Sequence, residues 1–161
     1  GRSIDFKNCV IILTSNVGSE LIMSMTRDPE LMPEPEDIAK ALREPLLKVF
    51  PAALLGRIQT VPYYPLSDEM LGNIIRLQLG RIKKRIAENH KSEFVFTDEV
   101  VQLIASRCTE IESGGRMIDA ILTNTILPKL SQEYLKRTME GRAMQKISLS
   151  VASGDFEYVF D

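Results

Sequence analysis

The sequence is poor in the side chains that make a self-sufficient active site. It has a single histidine, His90, in the polar stretch "ENHKSE", which reads as a solvated helix end. No nucleophile is placed near it by pattern, so no Ser-His-Asp type of triad is legible. The two cysteines, Cys9 and Cys108, lie far apart without metal-ligand spacing, and no metal site is expected. Cys9 falls in an apolar run and Cys108 in a helical pattern. Both are expected to be inert core thiols in a reducing, cytoplasmic compartment. The longest apolar run is five residues, far short of a bilayer span, so no membrane insertion is expected. The start, "GRSIDFKN", has no signal-peptide pattern and no initiator methionine, and reads as the edge of an excised fragment. A formal net charge of −2 removes any bulk attraction to nucleic acid or an acidic membrane. Neither a GxxxxGK[ST] loop nor an apolar run closed by paired carboxylates is present.

What is there is patterned apolar sequence. At 161 residues and 44% hydrophobic, the chain suits one ordinary domain or two small ones. In "NCVIILTSN" (8–16) the run Cys9–Leu13 does not alternate, which predicts a strand buried on both faces, as in a parallel sheet. Ligands of open α/β sheets sit beyond the carboxyl ends of such strands, where Thr14, Ser15 and Asn16 stand. The segment "RDPELMPEPED" (27–37) is proline-rich and acidic, and predicts an exposed loop. Ile38, Ala41, Leu42 and Leu46 have helical spacing, and Pro45 inside it predicts a kink or two abutting helices. Pro51 can start the short turn "PAALLGR". "IQTVPYY" (58–64) predicts a short strand, with Pro62 at its end or on an edge.

Composition changes at "PLSDEM". Ser67 is a helix cap, followed by Asp68 and Glu69 at the positive end of the dipole. Leu71, Ile74, Ile75, Leu79, Ile82 and Ile86 then form one apolar stripe. "EFVF" (93–96) predicts a strand. Thr97 caps a helix whose inner face is Val100, Val101, Ile104 and Cys108. Gly114 and Gly115 open a longer helix to about Arg137, bent at Pro128, and a hairpin turns at Ser-Gly-Asp near the end. The organisation is an α/β part at 1–65, with parallel-sheet strands and helices in a sheet that looks incomplete, and an α+β unit at 66–161.

Polar residues on this frame offer some chemistry. Asn16 can orient a water or hold a phosphate oxygen, or it can cap the helix around "GSELIMSM" together with Thr14 and Ser15. Arg57, in "LLGRIQ", can project a permanent planar cation towards a transferred phosphoryl group, or be a plain surface arginine. Arg116, in "ESGGRMIDAI", adds charge to a glycine-opened helix start that suits phosphate, or lies exposed beside an ordinary turn. Arg76, Arg81, Lys83, Lys84 and Arg85 make one helix basic. They lack interleaved aromatics, so a solvated face is expected rather than a nucleic-acid site.

Taken in order, these stretches resemble a known series. "GRSIDFKNCVIILTSNVGS" is similar to the segment leading into the sensor-1 strand in the second ATPase module of Clp-type AAA+ unfoldases. "VFPAALLGRI" resembles that family's arginine-finger segment, and "SGGRMIDAI" its Gly-Ala-Arg sensor-2 motif. The resemblance runs through essentially the whole chain. It implies that 1–65 is the C-terminal portion of a AAA+ large subdomain and 66–161 the small lid subdomain. It further implies Asn16 as sensor 1, Arg57 as an arginine finger acting in trans, and Arg116 as sensor 2. Within the family the chain is most similar to the ClpV branch of type VI secretion, with the ClpB disaggregases next. That implies ATP and Mg²⁺ in a parent protein, neighbouring subunits of a homohexamer, and a substrate polypeptide such as secretion sheath proteins. Gly56 stands where the family has Asn, and Met117, Asp119 and Ala120 stand where Pro and basic residues often follow sensor 2. With Walker A and Walker B outside this sequence, no tightly bound nucleotide or turnover is expected of the chain itself. A non-enzymatic assembly module and an RNA-binding helix unit are the other classes of reading.

Overall fold

The computed structural model describes residues 5–109 and 115–161. The chain divides into two compact units, Gly1–Pro65 and Leu66–Asp161. The first is helical: α1 (Ser19–Met25), a 3₁₀ turn (Pro29–Leu31), α2 (Pro35–Ala41), α3 (Arg43–Leu47) and α4 (Ala52–Leu55). Pro45 lacks the N–H that a through-going helix would use, and α2 and α3 abut at Leu42 as the sequence predicts. Ile38 and Leu42 are the buried hydrophobics of this unit among the described residues. Gly18, at φ +81°, enters α1 in the left-handed region, and a Cβ there would run into Leu42 Cδ2. Only glycine fits that approach.

Two expectations fail in this unit. Cys9–Leu13 has no ladder partner among the described residues and is exposed, Val10 by 91%, and Cys9 is exposed with it. "IQTVPYY" likewise joins no ladder among the described residues, and it begins in a bend at Ile58. Apolar, β-branched sequence makes a segment ready for a sheet. Hydrogen-bonded neighbours make it a strand, and none among the described residues supplies them.

The second unit packs helices on a small mixed sheet. Its elements are α5 (Asp68–His90), β1 (Glu93–Phe96), α6 (Asp98–Thr109), α7 (Gly115–Ile121), a π-helical segment (Leu122–Ile126), α8 (Leu127–Met139), β2 (Lys146–Ala152) and β3 (Asp155–Phe160). Ser67 Oγ accepts from Met70 N–H and so caps α5. Sheet order is β1-β2-β3, with β1 parallel to β2 (Phe94 opposite Ile147) and β2 antiparallel to β3. Ala152 pairs with Asp155 across Ser153 (φ 52°) and Gly154 (φ 82°), the geometry of a two-residue primed turn. The core joins Leu71, Ile75 and Leu79 of α5 to Phe94, Ile104, Ile118, Ile126, Ile147 and Leu149. Cys108 lies within it, as expected, and burial pushes its thiol pKa up.

The long third helix departs from expectation in detail. Pro128 has no N–H to return to the preceding turn, and the chain answers by widening: Leu127 N–H reaches back to Leu122 O. A π segment takes the place of a simple bend. Arg137, largely buried, donates from Nε to Glu133 Oε1 (2.9 Å) and from Nη2 to Phe160 O (2.7 Å), pinning α8 to the end of β3.

Candidate functional site

Asn16 sits two residues before the glycine that opens α1 and is exposed. Its backbone carbonyl accepts from Ser19 N–H (3.2 Å) and from Ser19 Oγ (2.7 Å), which fixes the turn. Ser15 Oγ accepts from Val17 N–H at 3.1 Å. The cap residue of α1 is Gly18, with no side-chain cap bond. The Asn16 amide therefore does not cap α1, and it has no hydrogen bond recorded among the described residues. Its acceptor and both donors stay open to a ligand or water.

Arg57 follows α4 directly, held by its own N–H donating to Leu54 O at 2.9 Å. Pro51 begins that turn and Gly56 ends it in ordinary helical geometry. The side chain is exposed and has no carboxylate partner among the described residues. A free guanidinium here costs little, because water solvates it until an anion arrives. The segments flanking both residues come together: Ser15 and Val17, with Leu55 and Ile58, line one apolar groove of about 250 Å³.

Arg116 is the second residue of α7, exposed, and likewise unpaired among the described residues. Ser113 and Gly114 of its "SGGR" motif lie outside the described residues. Arg116 belongs to the second unit, Asn16 and Arg57 to the first. Each offers a hydrogen-bond donor suited to phosphate oxygens. No group of three His, Cys, Asp or Glu side chains able to hold a metal ion occurs among the described residues. No helix among them is long and apolar enough to cross a membrane.

Sequence reasoning missed the ties that hold the second unit's turn. Arg107 pairs with Asp155 Oδ1 (3.0 Å), donates to Gly154 O (3.3 Å) and lies over the Phe156 ring. The hydrogen bond from Phe156 N–H and, after it, the one from Arg107 hold the Asp155 carboxyl below the usual range. Partners 48 residues apart in sequence leave no local signal. Those contacts are structural, and no bound group is needed to explain them.

Comparison with known proteins places these pieces. Residues 1–61 match the family described as AAA domain (Cdc48 subfamily). Residues 66–148 match the C-terminal, D2-small domain, of ClpB protein. The chain is 63% identical over 160 residues to the AAA+ ATPase ClpV1 of Pseudomonas aeruginosa, which covers 99% of this chain and 18% of that protein. It is 43% identical over 136 residues to the chaperone protein ClpB of Yersinia enterocolitica, covering 84% of this chain and 15% of that one. A ClpB of Oceanobacillus iheyensis is 33% identical over 158 residues, 93% of this chain and 19% of its own length. The chain thus spans less than a fifth of the curated relatives it matches. An AAA core remnant followed by a small α+β unit is the fold class these matches support. With the two family models met in chain order, the second filling most of 66–161, and 63% identity across nearly the whole chain to a Clp-type ATPase, the chain belongs to the Clp-type AAA+ family.

Proposed function

We propose that this chain is the C-terminal part of the second ATPase module of a ClpV-like protein remodeller. Identity of 63% across 99% of the chain with an AAA+ ATPase ClpV1 carries the reading, against 43% for a ClpB. In the longer protein ATP supplies a phosphoanhydride whose cleavage drives remodelling, with Mg²⁺ held by residues other than these. Asn16 holds a water or a phosphate oxygen through its open amide. Arg57 reaches the nucleotide of a neighbouring subunit in a homohexamer. Arg116 meets phosphate oxygens from the lid, residues 66–161. The substrate is a polypeptide, in the ClpV reading a secretion sheath protein, and the site of action is the cytoplasm. The chain of 161 residues alone is inactive, because a Gly-rich loop of backbone amides with its Lys is missing from its sequence.

Phosphate release by the longer protein tests the roles together. Arg57→Ala and Asn16→Ala are expected to retain nucleotide and lose turnover, while Arg116→Ala weakens nucleotide binding. Unchanged turnover in all three purified variants would refute the site. Calorimetric titration of the 161-residue chain with ATP and Mg²⁺ is expected to give no heat of tight binding; a micromolar affinity would show that the nucleotide site lies within it.

A further inference from the structure

Helix α5 presents a cationic face that the nucleotide reading does not use. Leu77, Arg81, Lys84 and Arg85 stand at i, i+4, i+7 and i+8, so they share one side of the helix, and all are exposed. Beside them runs a groove of about 270 Å³ with Arg81 and Arg85 in one wall, Asp119 in the other, and Ile82, Leu122 and Leu127 among its apolar lining. Among the described residues, Arg85 has no carboxylate partner and Arg81 only the Gln78 amide at 3.4 Å. Lys84 has a loose pair with Glu88 at 3.8 Å.

The first unit displays the complement. Between Asp28 and Asp37 there are five carboxylates and no cation. Asp28 is occupied in accepting from Glu30 N–H (2.9 Å), and Asp37 pairs with Lys40. Glu30, Glu34 and Glu36 are left without a cation among the described residues. Leu31, between them, is 75% exposed. The segment is held in shape by its 3₁₀ turn and by Tyr64 OH donating to Pro33 O at 2.6 Å, so presenting it costs little ordering entropy.

We propose that the α5 face docks the Glu30–Glu36 segment of a second copy of this chain. Leu31 enters the groove, and Glu30 and Glu34 meet Arg81 and Arg85 on the wall away from Asp119. The two patches differ, so the contact is head-to-tail and repeats from copy to copy. Its closure into a ring rests on the hexamer reading above; the contact itself does not.

Sedimentation velocity of the 161-residue chain at about 0.05 M and about 0.5 M salt reads it directly, since exposed pairs are screened over that range. Association is expected at low salt. Arg81→Glu with Arg85→Glu should weaken it about tenfold or more, as should Glu30→Lys with Glu34→Lys. Mixing the two reversed proteins should restore it, which an effect on folding cannot do. Arg81→Gln with Arg85→Gln, melting as the parent does, should lie between. A chain that stays monomeric at low salt, or reversals that leave association unchanged, would overturn the contact. So would an α5 face that retains single-stranded RNA while the copies stay apart. In the longer protein, nucleotide-dependent rings that survive both reversals would overturn the contact and leave the hexamer reading standing. Rings absent before any substitution would remove the hexamer reading, with pairing of the 161-residue chain still deciding the contact.

Discussion

An asparagine can cap a helix or serve a ligand, and substitution separates the two at Asn16. Its amide bonds nothing among the described residues, and Gly18 takes the cap position. Asn16→Ala is therefore expected to leave the melting transition within about 0.5 kcal/mol of the parent. Turnover of the longer protein should fall roughly 10²-fold, as for the loss of one preorganised donor. A loss of about 1 kcal/mol with turnover intact would make it a cap after all. The cysteines divide as sharply. Cys9 is exposed and should react with a thiol reagent at once, whereas Cys108 should react only on unfolding. The folded-state pKa of Cys108 is raised, so the folded form favours the protonated thiol. Its contribution to stability is complete below the unfolded value of about 8.5 and is lost as pH rises beyond it. Equal labelling rates in native buffer would contradict this. The burial of Cys108 was legible because a helical stripe carries it. That of Cys9 was misread because an apolar run says that a segment can be buried and not what covers it.

Elements with a local cause were legible; those with a distant one were not. Ser67 announces the start of α5, and Ser67→Ala should cost about 1 kcal/mol in thermal melts, with no loss at all contradicting the cap. Ser153-Gly154 announces the hairpin, and Gly154→Ala forces a Cβ into the left-handed region at about 1–2 kcal/mol. A neutral result there would mean that the turn relaxes to another type. The pairing of Phe94 with Ile147 has no local signature, because a parallel ladder is closed by the helices between its strands. Pro128 signalled a disturbance in the long helix and left its form open. The structure resolves it as a π segment, with Leu127 bonded back to Leu122. "CVIIL" and "IQTVPYY" have strand composition and no ladder among the described residues, so composition alone misassigned both.

At the scale of the whole chain, the core is unevenly shared. The connected cluster from Leu71 to Leu149 lies entirely within 66–161, while the first unit's buried hydrophobics among the described residues are Ile38 and Leu42. Residues 66–161 expressed alone are expected to melt cooperatively, and a molten, dye-binding product would contradict the independence of that unit. The site shows the opposite balance of legibility. Its proposed residues are nominated by motif order alone, because Arg57 and Arg116 bond to no other described side chain and geometry marks them only as exposed cations. As proposed above, Arg57 serves a neighbouring subunit's nucleotide. Mixed rings of the longer protein, titrated with Arg57→Ala subunits, test it most directly. An arginine finger is worth about 10³–10⁵ in rate. Turnover is expected to fall more steeply than the fraction of wild-type subunits, because each mutant subunit disables its neighbour's site. Turnover that tracks the wild-type fraction linearly, or an all-Arg57→Ala ring as active as the parent, would contradict it.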